Sequence, residues 1–184
     1  MPNSDALAPI ETPRLRIHHV SLELYDCCIE NRRSRAEEIV GAALPEDWYI
    51  QRDYLKTWRD KCLAEPEYLP WSLRIVVLKS AEEAIGNFRF HSTPNPEYLR
   101  ATAPNAVEFG YRIYPPHRRK GFAKETALAM MQWAREAAPI EYFVVSISPG
   151  NVASQRLAAS LGFIKVGEQM DEIDGPEDVL LLRA

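Results

Sequence analysis

The sequence predicts a mixed α/β fold on a mainly antiparallel sheet, with about six or seven strands and about four helices. Three observations predict it. AVEFGYRIY (106–114) alternates strictly, ends on Pro115 and Pro116, and leads through a basic loop into a helical period. EYFVVSIS (141–148) reads as a strand and is followed by Asn151 and a second helical period, which gives a strand–helix–strand–helix run. Short apolar strands joined by turns flank that run on both sides, and such pairs are antiparallel.

In chain order, residues 1–10 read as a flexible leader and 11–184 as one domain. PRLRIHHV (13–20) alternates Leu15 and Ile17 with Arg14 and Arg16, as a half-buried strand does. Ser21 and Glu23 open a helix that reaches about Cys28. The charged stretch 30–38 reads as a solvated face or exposed loop. A second helix is predicted over 44–65, starting after Pro45, with Tyr54, Leu55, Trp58 and Cys62 on one apolar stripe. WSLRIVVLK (71–79) and AIGNFRFH (84–91) form a hairpin, and 92–105, rich in Pro, Asn and Thr, forms a loop. In 106–114, Val107, Phe109, Tyr111 and Ile113 share one face, and Glu108, Gly110 and Arg112 share the other. A helix follows from about Gly121 to Arg135. Asn151 caps the next helix, Gly162 stops it, and a last strand pair turns at DGPED.

The chain has 184 residues, 46% of them hydrophobic and 26% charged, with a net charge of −4. An acidic balance argues against a nucleic-acid or anionic-membrane partner. Three cysteines in no framework spacing point to a reducing compartment, hence to the cytoplasm, and the scattered histidines give no metal-ligand pattern. The start of the chain lacks signal-peptide character, and no apolar run reaches the ~20 residues of a membrane span.

Against the acidic background, Arg118, Arg119 and Lys120 stand where a helix begins. Cations there oppose the helix dipole by roughly 0.3–1 kcal/mol each. An anion resolves the conflict, because the first helix amides lack internal partners and bind phosphate well. Gly121 lets a ligand approach the main chain. A Walker loop and a dinucleotide fingerprint both fail on glycine spacing.

RRKGFA (118–123) resembles the R/Q-x-x-G-x-G/A signature of the GCN5-related N-acetyltransferases (GNAT), in its Ala-terminated form. EFGYRIYPPHRRKGFAKE, NVASQRLAASLGF (151–163) and ETPRLRI (11–17) resemble the RimJ/RimL-type branch. The resemblance spans most of the chain. It implies a GNAT fold with splayed central strands and acetyl-CoA as cosubstrate, without a metal. It implies that Arg118, Arg119, Lys120, Gly121, Phe122 and Ala123 hold the pyrophosphate, and that main-chain groups around Ile113 and Tyr114 hold pantetheine. Asn151 and Ser154 are implied to contact CoA. Arg119 stands where the family usually has a glycine.

Acetyl transfer to an amine needs a proton acceptor, oxyanion donors and a proton or dipole for the thiolate. Glu108 is the expected base, its pKa raised by the apolar flanks Val107 and Phe109. The competing readings are that Glu108 is an exposed strand residue or a partner for Arg112, that the pair Asp171 and Glu172 serves instead, or that an ordered water does. Many relatives place a tyrosine acid where this chain has Ala158, so Ser154 becomes the candidate near the thiolate, or else it only completes the Asn151 cap. Tyr54 and Trp58 are expected to line the acceptor path, the alternative being core packing. The predicted function is N-acetyl transfer to a primary amine, a protein N-terminus or a small amine, by a monomer or homodimer. A non-catalytic acyl-CoA-binding module is the alternative.

Overall fold

Leu15 and Ile17 are fully buried and alternate with half-buried Arg16 and His18, and this pattern sets the first long strand. The computed structural model describes residues 4–171 and 175–184. A 3₁₀ turn at Ser4–Leu7 precedes β1 (Ile10–Glu11) and β2 (Leu15–His19). Helix α1 (Leu22–Ile29) starts on Ser21, whose hydroxyl accepts from the Leu24 amide at 3.2 Å. Then come α2 (Arg33–Val40), α3 (Glu46–Tyr49), α4 (Arg52–Ala64), β3 (Arg74–Leu78) and β4 (Glu83–Phe90). The remaining elements are α5 (Glu97–Arg100), β5 (Ala106–Ile113), α6 (Phe122–Ala137), β6 (Tyr142–Ile147), α7 (Val152–Leu161), β7 (Ile164–Asp171) and β8 (Gly175–Arg183).

The strand order is β1-β2-β3-β4-β5-β6-β8-β7. The β5–β6 pair is parallel, and β1–β2, β2–β3, β3–β4, β6–β8 and β7–β8 are antiparallel. The parallel register matches only Ala106–Glu108 with Tyr142–Val144, although the strands continue to Ile113 and Ile147. This is the splay the family resemblance implies.

The chain forms two compact units. The first takes Met1–Arg89 and Tyr111–Ala129. Its sheet core gathers Leu15, Val76, Ile85, Ile113 and Phe122, with Leu78 and Ala123 against them. The second takes Phe90–Gly110 and Met130–Ala184. There Leu99, Ala103, Ala106 and Val144 pack together, and Phe109 sets its ring edge-on to Phe90, Phe143 and Phe163.

The mixed, mainly antiparallel architecture is the one predicted, with local corrections. Among the described residues the sheet has eight strands instead of six or seven, the two-residue β1 being an addition. Residues 33–40, expected as a solvated face or loop, form α2: Ala36 and Val40, four apart, are buried, and Arg35 pairs with Glu38 and Glu23. The predicted 44–65 helix is two helices, broken where the Gln51 amide bonds back three residues to the Trp48 carbonyl. Its stripe also divides, since Leu55 and Cys62 are buried while Tyr54 is exposed. The 92–105 loop contains the single turn α5. β8 already starts at Gly175, inside the expected turn, whose Asp174 lies outside the described residues, as does Glu172.

Candidate active site

In the first unit, the chain leaves β5 at Ile113, makes a 3₁₀ turn over Pro115–His117 and reaches α6 through 118–121. Two residues of this passage have left-handed backbones, Arg119 at φ 59° and Gly121 at φ 82°. Left-handed residues alternating with right-handed or extended ones turn successive amides toward one side, a geometry that binds anions. The first bond of α6 runs from the Glu125 amide to the Gly121 carbonyl at 3.1 Å, so the Phe122, Ala123 and Lys124 amides precede the ladder.

Arg14 clamps this passage. Its Nη1 donates to the Lys120 carbonyl at 2.9 Å and its Nε to Glu125 Oε2 at 2.7 Å, while its guanidinium lies 4.5 Å from the Phe122 ring centre. Thr12 Oγ1 and the Arg14 amide both donate to Glu125 Oε1, at 2.6 and 3.0 Å. Burial pushes the Glu125 pKa up, but these donors outweigh it and hold the carboxyl below its usual value. The sequence marks 11–17 only as an opening strand; the basic loop and the start of α6 gave no sign of what fastens them.

The basic side chains are partly committed. Arg118 Nε donates to the Ile113 carbonyl at 2.8 Å, and Lys120 Nζ to the Pro116 carbonyl at 3.0 Å. The Tyr114 amide donates to the Ile85 carbonyl at 2.8 Å, and the Tyr114 ring is buried. Also in this unit, Tyr54 and Trp58 stack at 5.8 Å, and the Arg89 guanidinium lies 4.7 Å from the Trp58 ring centre.

In the second unit, Glu108 is 5% exposed and surrounded by donors. Ser146 Oγ on β6 donates to Oε1 at 2.6 Å, and Tyr98 Oη on α5 donates to Oε2 at 3.0 Å. His91 Nδ1 lies 3.6 Å from Oε2. The expected raised pKa is therefore corrected. Burial is the largest single influence and raises it, but His91, Ser146 and Tyr98 together hold it below the usual carboxylate value. The competing reading of Glu108 as an exposed residue fails on its burial.

The sequence missed His91, Ser146 and Tyr98. Ser146 had a signal, a hydroxyl in the apolar strand FVVSI two residues beyond Val144, which the register sets against Glu108. Asn151 caps α7 by accepting from the Ser154 amide at 3.2 Å. The cap thus uses the Ser154 main chain and leaves its hydroxyl out. Ala158 is buried. Asp171 ends β7. Among the described residues, no group of three or more His, Cys, Asp or Glu side chains could hold a metal, and no helix is long and apolar enough to cross a membrane.

The strand order and the basic passage into α6 agree with the α/β fold expected from the sequence, and comparison with known proteins gives the family. Residues 14–164 match the family described as Acetyltransferase (GNAT) domain, and the chain belongs to that family. The uncharacterized N-acetyltransferase YjdG of Bacillus subtilis (strain 168) is 24% identical over 159 residues, covering 84% of this chain and 89% of its own. Two solved structures share the fold across 96% of the chain. One is RimJ of Mycobacterium smegmatis in complex with CoA-disulfide (TM-score 0.61, 14% identity, 86% of that chain). The other is the ribosomal-protein-S5-alanine acetyltransferase of Vibrio fischeri (TM-score 0.64, 16% identity, 96% of that chain).

Proposed function

We propose that the protein is an acetyl-CoA-dependent N-acetyltransferase that moves an acetyl group to a primary amine by direct attack in a ternary complex. The observation that carries this reading is the basic passage into α6, with two left-handed residues inside the GNAT-matched segment. The passage fits a pyrophosphate: its amides precede the helix ladder, Gly121 has no side chain to block approach, and Arg118, Arg119 and Lys120 supply charge. The Arg118–Lys120 charges, which oppose the dipole of α6, are offset once an anion binds.

Pantetheine falls to main-chain groups near Ile113 and Tyr114. The Tyr114 amide already serves Ile85, so the Ile113 carbonyl, with one lone pair beyond Arg118, is the better-suited member. The donor supplies an acyl group activated as a thioester. Glu108 belongs to the proton path of the amine. Ser154, whose hydroxyl is outside the cap, serves the departing sulfur, and the amino end of α7 favours its negative charge. Tyr54 and Trp58 line the acceptor path, and the acceptor is a protein N-terminus or a small amine. The GNAT domain and the RimJ-type motifs of the sequence favour the N-terminal amine, and reducing cytoplasm is the compartment proposed.

The test is acetyl transfer over a panel of N-terminal peptides, polyamines and amino metabolites, read as free-thiol release. Amine-dependent thiol release supports the reading. Binding of acetyl-CoA with no turnover on any amine would instead identify a binding module.

A further inference from the structure

Glu108 is poorly placed to take a proton itself. It is buried, and its oxygens already accept from Ser146 and Tyr98 at 2.6 and 3.0 Å. A carboxylate so well solvated by fixed donors is a weak base but a strong anchor for a cation. The next polar group outward is His91, just beyond the end of β4, with a third of its side chain exposed and Nδ1 3.6 Å from Glu108 Oε2. The His91 amide donates to the Glu108 carbonyl at 2.9 Å, so the two residues are also tied through the main chain.

The other ring nitrogen, Nε2, lies over Gly110. A Cβ at Gly110 would stand 3.0 Å from Nε2, closer than side chains normally approach. A glycine two residues beyond Glu108 on the same strand face thus makes the room the imidazole occupies. Ser146, Tyr98, Glu108, His91 and Gly110 all belong to the second unit.

We propose that His91 Nε2 is the proton acceptor for the attacking amine, with Glu108 as the positioning residue that holds Nδ1 and stabilises the imidazolium. The inference rests on the acetyltransferase reading above and assigns a residue to it. In the step, the amine nitrogen bonds to the thioester carbonyl carbon and gives one proton to Nε2. The C–S bond breaks, and the sulfur leaves with the bonding pair. The proton on Nε2 then passes to that sulfur or to water, so the amide and free thiol balance the reactants. The 3.6 Å separation exceeds a good hydrogen bond and is of the kind that tightens in a productive complex.

Two measurements test this on the full-length protein. His91→Ala should lower kcat about 100-fold with donor affinity unchanged, and added imidazole should restore part of the rate. Gly110→Ala should lower kcat in the same direction by displacing the ring, and a melting curve separates this from unfolding. In the second measurement, ¹⁵N spectra of histidine-labelled wild type should show the neutral His91 ring protonated on Nδ1, a preference weakened in Glu108→Gln. Wild-type kcat in a folded His91→Ala variant, or a ring protonated on Nε2, would overturn the assignment while leaving the acetyltransferase reading intact. Absence of turnover by the wild type on every amine would overturn both.

Discussion

The basic passage at 118–123 and the cluster around Glu108 handle charge in opposite ways. In the passage, positive side chains gather at the start of α6, two of them fold back onto the Ile113 and Pro116 carbonyls, and the proposed binding surface is main chain. In the cluster, one negative group is buried, its side-chain donors are Ser146 and Tyr98, and His91 Nδ1 lies 3.6 Å away. A main-chain anion site depends on backbone conformation, so it tolerates changes in side chains but not in φ. A buried carboxylate depends on its donors, so it tolerates backbone drift but not the loss of a neighbour. The first arrangement suits binding and the second suits a single proton-transfer geometry.

Substitutions that separate binding from turnover sharpen this contrast. The largest effect is expected at Glu108. Glu108→Gln should reduce kcat by up to about 100-fold, no more than His91→Ala does, and leave acetyl-CoA affinity unchanged, because the proposed role of Glu108 is to hold His91 and not to bind the donor. Steady-state kinetics beside calorimetric donor binding would check it, and an equal loss in both would break the contrast. Next is Gly121→Val. A β-branched residue at φ 82° costs about 1–2 kcal/mol in the left-handed region and blocks the amides, so donor Kd should rise at least tenfold. Unchanged affinity in the folded variant would move the phosphate site elsewhere.

Arg119→Gly should act with the opposite sign on stability. Arg119 holds φ 59°, which a glycine adopts without strain, so relief of that strain, set against the glycine's extra chain entropy, should stabilise by about 1 kcal/mol. The melting temperature should rise, and donor affinity should fall only by what the lost charge contributes. The smallest effect is the acid sensitivity of Glu125. Its folded pKa is lowered, so its stabilisation is present above the unfolded carboxylate value of about 4.3 and is lost as pH falls through the folded value. The melting difference between wild type and Glu125→Gln should therefore be full at neutral pH and close as the pH drops below about 4.

The two regions also differ in how much the sequence reveals. A strand that ends on Pro115 and Pro116, a run of cations and Gly121 are consecutive residues, so local rules suffice to read them. The Asn151 cap was legible for the same reason. His91 and Tyr98 reach Glu108 only because 91–98 doubles back beside β5, through a segment whose one helical turn at Glu97–Arg100 is too short for periodicity to detect. The raised pKa expected of Glu108 was argued from its apolar sequence neighbours alone; the groups that reverse it, His91, Ser146 and Tyr98, lie outside that stretch of sequence. The charged α2 was missed because its buried positions are only Ala36 and Val40, and its ion pairs replace an apolar stripe. Arg119 was flagged as a departure from a glycine position, but the cost of that departure shows only in its backbone angle.

The most direct test of the central claim is thermal melting with and without acetyl-CoA, for wild type and Gly121→Val together. At about 100 times Kd, linkage should add about 2.7 kcal/mol to the wild type, visible as a melting temperature several degrees higher. The wild type should show that rise, and a folded Gly121→Val variant should lose it at the same ligand concentration. A wild type unmoved by acetyl-CoA and CoA, or a variant that gains as much as the wild type, would contradict it.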